Sequence, residues 1–272
     1  MEKQDMGQRY VLVVGAIGGM GHATCEALQK AGYAVLGIDR TLPTSPLQDV
    51  TYYACDICEE TSLKNVVADL EQKEIRLSAI LHMAGLYILD SLVEIEESQF
   101  TKLINVNLMG VYRVNRLFLP LLAPKGRIVI TSSELAPLNP LPFTGLYALS
   151  KTALEAYAKS LRMELQLLGH SVSIIRPGAV YTGMLSASTK SLALFCEKTE
   201  LYKADAATFR AVIDRVENKN IAPAKIADLA LCCLKSKRPK YVYNINRNPW
   251  LRLLSKLPMR LQLAIIYRLL HK

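Results

Sequence analysis

No stretch of this 272-residue chain is apolar for long enough to cross a bilayer as a helix, so no transmembrane helix is predicted. Met1–Arg9 is polar and runs straight into a strand, which does not read as a secretory signal. The six cysteines (25, 55, 58, 196, 232 and 233) form no disulfide framework and suit reduced thiols in a cytoplasmic setting. Cys55-Asp56-Ile57-Cys58 has no second Cys-x-x-Cys pair to complete a metal site, and each of the four histidines stands alone. No metal is therefore expected, and His22 reads as an ordinary helix residue. Internal repeats, low-complexity tracts and linkers are also lacking, which points to one domain. The last absence is of acid: Lys235–Lys272 holds ten Lys/Arg and no Asp/Glu. The remaining 234 residues carry 23 basic against 24 acidic groups, so the body is neutral and no nucleic-acid partner is expected.

What is present is an alternation of short apolar runs with longer helical patterns, the signature of successive βαβ units on a parallel sheet. Strands are expected at Tyr10–Val14, Ala34–Asp39, Tyr52–Cys55, Ala79–Met83, Arg127–Thr131, Ser171–Arg176 and Lys240–Ile245. Helices are expected at Gly21–Gly32, about Thr61–Glu71, Gln99–Leu122, Tyr147–Leu168 and Pro223–Leu234. Pro124-Lys125-Gly126 reads as a turn, and residues 184–218 as a less regular, largely helical insertion.

Three features carry chemistry. Val13-Val14-Gly15-Ala16-Ile17-Gly18-Gly19-Met20-Gly21 links the first strand to the first helix, where glycines let a pyrophosphate approach the free N–H groups and positive dipole of the helix start. Its spacing is Gly-x-x-x-Gly-x-Gly. Asp39 closes the second strand; a carboxylate there accepts ribose hydroxyls and repels a 2′-phosphate, favouring NAD over NADP. Arg40 beside it softens that exclusion, but the loop has no basic residue of its own, which tips the balance to NAD. Tyr147 and Lys151 stand four apart on one helix face, with Ser133 upstream. A cation beside a phenol favours the phenolate and makes a usable general acid/base.

These motifs resemble those of the short-chain dehydrogenases/reductases, closely from Val11 to about Thr182 and more loosely to Asn246. In the glycine loop Val14 replaces that family's usual Thr. Asp56-Ile57 stands where the family keeps an acid that bonds the adenine amino group. His82-Met83-Ala84-Gly85 corresponds to its Asn-Asn-Ala-Gly element with the first two residues changed, and Asn107 matches its catalytic asparagine. Ile130-Thr131-Ser132-Ser133 matches the strand end that presents the catalytic serine. Ser133 lies one step further from Tyr147 than the family commonly allows, which the proline-bearing loop Glu134–Gly145 (Pro137, Pro140, Pro142) can absorb; Ser132 is the minor alternative. Arg176-Pro177-Gly178-Ala179-Val180-Tyr181-Thr182 resembles the segment that binds the nicotinamide carboxamide.

The resemblance implies a Rossmann-type, doubly wound α/β domain with helices on both faces of a parallel sheet. The domain spans residues 1–246, with a substrate lid at about 184–218 and a helical tail at 247–272. It implies hydride transfer between a secondary alcohol or ketone and NAD, with NADP the alternative. Tyr147 is then the acid/base, Ser133 steadies the substrate oxygen, Lys151 holds the nicotinamide ribose and lowers the Tyr147 pKa, and Asn107 positions a relay water. Pro177, Gly178, Val180 and Thr182 join the glycine loop, Asp39, Arg40, Asp56, Ile57, Ala84 and Gly85 around the cofactor. A homodimer or homotetramer paired through the Gln99–Leu122 and Tyr147–Leu168 helices is also implied, with Glu155–Ala158 and Arg162–Leu165 supplying the packing surface. Met184, Leu185, Leu192, Leu194 and Phe195 in the lid suggest a hydrophobic substrate: a steroid, bile acid, retinoid-like alcohol or long-chain hydroxyacyl compound. An NADP-linked 3-oxoacyl thioester reductase is the second enzymatic reading, and a non-catalytic NAD-binding sensor at a membrane the reading from another class. In the tail, Arg252, Lys256 and Arg260 recur at four-residue steps opposite Leu253, Leu254, Leu257 and Leu261, with Pro258 splitting the pattern. It reads either as a helical pair packed over the cleft or a neighbouring subunit, or as a peripheral membrane contact.

Overall fold

The computed structural model describes residues 8–138, 141–217 and 219–271, without the side chains of 185–188, 216 and 217. Pro140, the Leu185 side chain and the last lid residue, 218, thus lie outside the described residues. Seven strands form one parallel sheet in the order β3-β2-β1-β4-β5-β6-β7. They are β1 (Tyr10–Val14), β2 (Ala34–Asp39), β3 (Val50–Ala54), β4 (Leu77–His82), β5 (Leu122–Thr131), β6 (Ser171–Pro177) and β7 (Val242–Ile245). The helices are α1 (Gly19–Lys30), α2 (Glu60–Gln72), α3 (Glu97–Ile104), α4 (Val111–Phe118), α5 (Gly145–Leu165), α6 (Gly183–Lys198), α7 (Lys203–Glu217), α8 (Ala224–Lys235), α9 (Pro249–Leu254) and α10 (Met259–Leu270).

The period of two along each strand explains the two layers. Leu12 and Val14 of β1 face a core with Leu63 and Leu70 of α2, Phe118 of α4 and Leu154 of α5. Val11 and Val13 face the opposite core, with Cys25 and Leu28 of α1 and Ile226 and Ala230 of α8. The expected doubly wound α/β sheet is therefore the observed one. Strand order reverses between β1 and β4, and the crevice at their carboxyl ends is where such sheets bind ligands.

Three local differences from the sequence reading have physical causes. The single helix expected over Gln99–Leu122 is α3, a π-helical turn at Asn105–Gly110, then α4 and a 3₁₀ turn at Leu119–Leu121. Gly110 abuts Ile57 at this widened turn, and a Cβ there would meet Ile57 Cδ1 at 2.6 Å, so a larger residue would have to displace the Ile57 side chain. The strand expected to start at Arg127 pairs already at Leu122. Leu77 pairs Leu122 while Ala79 pairs Arg127, so Pro124-Lys125-Gly126 bulges out, with Lys125 at φ +61°. In the segment expected to form a lid, Leu192 and Phe195 do not line the cleft described below. They build a separate small core with Leu89, Ala206, Phe209 and Ile213, while Leu194 is exposed. None of the helices among the described residues is long and apolar enough to cross a membrane.

Candidate active site

At the end of β1 the chain turns through Gly15 at φ +80°, a conformation open to glycine at little cost. A Cβ on Gly15 would lie 2.6 Å from Ala84 N, and one on Gly21 only 1.9 Å from Gly15 O. The loop thus folds back on itself and on the chain after β4. Gly19 abuts Thr182, where a Cβ would meet Thr182 Cγ2 at 2.9 Å. Asp39 is built into this turn: its carboxylate accepts from Ile17 N at 3.1 Å and from Arg40 N at 2.8 Å. Asp56 and Ile57 sit further along the same edge. Asp56 accepts from Cys58 N at 2.8 Å, and Ile57 is buried against Gly110.

The end of β5 and the first turns of α5 bring Ser133, Tyr147 and Lys151 together. Ser133 lies beside the Tyr147 phenol and favours its ionised form. Lys151 Nζ donates to Thr131 O at 3.0 Å and lies 5.8 Å from the Tyr147 ring centre. The expected alternative, Ser132, is engaged elsewhere, donating to Glu155 Oε1 at 2.7 Å. Burial dominates both titratable groups. It pushes the Tyr147 phenol up to about 12 against the opposing influence of Ser133, and the Lys151 ammonium down to about 8. The lysine-driven lowering of the phenol expected from the sequence is thus not what the chain produces by itself: Lys151 bonds a backbone carbonyl, and desolvation outweighs it.

Asn107 projects from the π-helical turn. Its Oδ1 accepts from Leu86 N at 2.7 Å, and its Nδ2 donates to Leu86 O at 2.9 Å and Ser150 Oγ at 3.1 Å. Oδ1 and one amide hydrogen therefore clamp the segment after Gly85, the other hydrogen ties Asn107 to α5, and a Cβ on Gly85 would lie 3.5 Å from Lys151 Nζ. Pro177 and Gly178 leave β6 against the opposite wall, and a Cβ on Gly178 would lie 2.0 Å from Asn246 O.

Ser133, Tyr147, Lys151, Pro177 and Gly178 line a cleft together with Met20, Ala84, Gly85, Val180 and Thr182, whereas Asn107, Asp39 and Asp56 stand outside its lining. The sequence reading did not identify several of its residues. Tyr87 packs edge-on to Tyr147 with centroids 4.4 Å apart, and Leu141, Ile213 and Leu251 add apolar wall from three distant segments. Of the lid residues named from sequence, Met184 reaches the cleft. Glu155 is the missed residue with a visible signal, since it continues the four-residue spacing Tyr147, Lys151, Glu155. It turns inward and pairs with Arg176, instead of supplying the subunit-packing surface expected of it. Arg162, from the same expected surface, donates to Val172 O within its own chain.

His82 closes β4 behind the site. Its Nε2 shares a 2.8 Å hydrogen bond with Asn115 Oδ1, and its buried Nδ1 has no partner among the described residues. Burial, with Lys151 nearby, pushes this imidazole from 6.5 to about 4. The unfolded chain binds that proton near pH 6.5 and the folded chain only near 4, so stability is full above the first value and falls as the pH drops toward the second. The loss reaches about 3 kcal/mol. Urea midpoints measured across this window are expected to fall less steeply with acid for His82→Asn than for the parent.

The model of the family described as short chain dehydrogenase matches residues 9–193. A 3-ketodihydrosphingosine reductase of Bacteroides thetaiotaomicron is 24% identical over 86% of this chain and 86% of its own. Estradiol 17-beta-dehydrogenase 2 of Mus musculus is 31% identical over 65% of this chain, which spans 49% of that relative. Among solved structures, an actinorhodin polyketide ketoreductase with NADPH superposes with a TM-score of 0.71 at 21% identity, covering 90% of this chain and 97% of its own. With the sheet order and the cleft, these matches place the chain in the short-chain dehydrogenase family, as one of its nicotinamide-dependent oxidoreductases.

Proposed function

We propose that the protein interconverts a secondary alcohol and its ketone on a largely apolar substrate, with NAD as the hydride carrier. The observation that carries this reading is the Ser133–Tyr147–Lys151 group on the floor of a cleft whose walls include Tyr87, Leu141, Met184, Ile213 and Leu251. Such walls favour a hydrocarbon body, because burying apolar surface gains about 25 cal/mol per Å². Two relatives are named for 3-ketodihydrosphingosine and estradiol, both mostly hydrocarbon, which supports the same substrate class.

The residues fit a nicotinamide dinucleotide. Helix α1 starts without a side-chain cap and without an acid in its first turn, leaving its N–H groups for a pyrophosphate. Asp39 stands at the edge of that loop as the ribose acceptor, with Arg40 exposed beside it. Ala84, Gly85, Pro177, Gly178, Val180 and Thr182 flank Lys151 where the nicotinamide end would lie. The bound dinucleotide supplies a hydride acceptor or donor; the protein supplies the proton chemistry and the positioning. Ser133 Oγ donates to the substrate oxygen, and Tyr147 Oη gives the proton in reduction or takes it in oxidation. A phenol held near 12 stands protonated and ready for reduction; oxidation requires it first to lose that proton. Lys151 orients the ribose end and offers its own labile proton. Asn107 acts as a positioning residue, fixing Leu86 and with it the wall beside Lys151.

Turnover of steroid, bile-acid, retinoid and long-chain alcohols by the purified protein tests the reading; activity with short polar alcohols alone would contradict it. Asp39→Asn keeps an acceptor for Ile17 N while removing the charge. The NAD over NADP preference in kcat/KM is expected to fall tenfold or more, about 1.4 kcal/mol. An unchanged ratio would remove Asp39 from cofactor selection.

A further inference from the structure

The tail has an inner and an outer side. Inside, Leu251 of α9 forms part of the cleft wall, and Asn248 N donates to Glu134 Oε2 at 2.6 Å, next to Ser133. Leu270 of α10 packs against the lid core. Outside, Trp250 (71% exposed), Leu253, Leu261, Tyr267 and Leu269 face solvent across both helices. The exposed cations of these helices and their link are Arg252, Lys256, Arg260 and Arg268, in a stretch from Lys235 that contains no acid.

An outer face that is apolar and of one charge sign is matched by a surface that is apolar within and anionic at its rim. We propose that the outer side of α9 and α10 docks on an anionic lipid bilayer, bringing the cleft mouth to the membrane surface. Two short helices with a tryptophan, leucines and long-stemmed arginines suit the interfacial layer, where aromatic and aliphatic groups enter the headgroup boundary and cationic heads stay with lipid phosphates. A bilayer fits this face better than an acidic protein because the exposed Trp250, Leu253, Leu261 and Leu269 are interspersed with the cations over both helices, and none of these four lines the groove that α10 forms with Leu92 and Val93. The contact stands independently of the redox reading; only the entry of an apolar substrate from the bilayer rests on that reading.

Trp250 is the sole tryptophan of the chain, so its emission reports on this face directly. The full-length protein is mixed with phosphatidylcholine vesicles that contain or lack phosphatidylserine. Co-sedimentation and a shift of emission to shorter wavelength are expected with phosphatidylserine and are expected to reverse in high salt. The triple variant Arg252→Ser, Lys256→Ser, Arg260→Ser should partition roughly a hundredfold more weakly. Leu253→Glu should lose the interaction while retaining hydride transfer to a detergent-dispersed alcohol. Absence of vesicle binding by the parent protein would overturn the proposal. Equal, salt-insensitive binding to both vesicle types would overturn it too, as would an emission shift that follows protein concentration without lipid, which would assign the face to a second copy of the chain. Each result that would overturn the proposal is read from lipid binding or emission and not from turnover, so failure here is separable from failure of the oxidoreductase reading.

Discussion

Tyr147→Phe is expected to lower kcat in both directions by roughly 10²–10⁴-fold, the usual contribution of a positioned acid/base. The ring stays, and with it the edge-on contact with Tyr87; only the hydroxyl goes. Removing the hydroxyl alone should change stability by about 1 kcal/mol or less. Dinucleotide affinity should hold, because Lys151 is anchored by Thr131 O and not by the phenol. Kinetics beside a nucleotide titration of the same protein check both halves. Undiminished turnover would remove Tyr147 from the chemistry, whereas a joint loss of turnover and nucleotide binding would mark it as structural.

Gly21→Ala is expected to weaken dinucleotide binding on the order of a hundredfold, about 2.7 kcal/mol. The added carbon would lie 1.9 Å from Gly15 O and 2.8 Å from Gly15 C. Both atoms are backbone, so no rotamer change relieves the contact; either the loop opens or α1 moves, and each displaces the N–H groups a pyrophosphate needs. Overpacking of this kind costs about 3 kcal/mol, which lowers Tm by roughly 6–12 °C. Gly32→Ala is the control. Gly32 has φ +80° but nothing within 4 Å of its would-be Cβ, so the substitution should cost about 1 kcal/mol of strain without touching nucleotide affinity. Isothermal titration with calorimetric melting separates the two, and parent-like affinity in Gly21→Ala would place the dinucleotide elsewhere.

The sheet was legible because parallel strands buried on both faces read as short apolar runs, and the turns between them carry glycine or proline. What escaped had long sequence separation or depended on side-chain direction. Nothing local marks Ile213 or Leu251 as cleft wall, since each reaches it through the packing of the lid or tail. Leu192 and Phe195 show the converse: apolar residues in a segment expected to be a lid read as substrate-facing, yet α6 and α7 have a core of their own. The π-helical turn at Asn105–Gly110 was hidden because its residues also suit an α-helix, and it is the tight contact of Gly110 with Ile57 that goes with the widened turn. The four-residue spacing did make Tyr147 and Lys151 neighbours on one helix, as expected. It did not predict their protonation, which burial sets against the simple electrostatic expectation.

The measurement closest to the central claim follows one atom. An apolar secondary alcohol deuterated at its carbinol carbon is incubated with the protein and NAD, and the dinucleotide is examined by mass spectrometry. The account predicts one deuterium in the reduced dinucleotide for each ketone formed, in the parent and not in Tyr147→Phe. Ketone without label in the dinucleotide, or label transferred equally by both proteins, would contradict it.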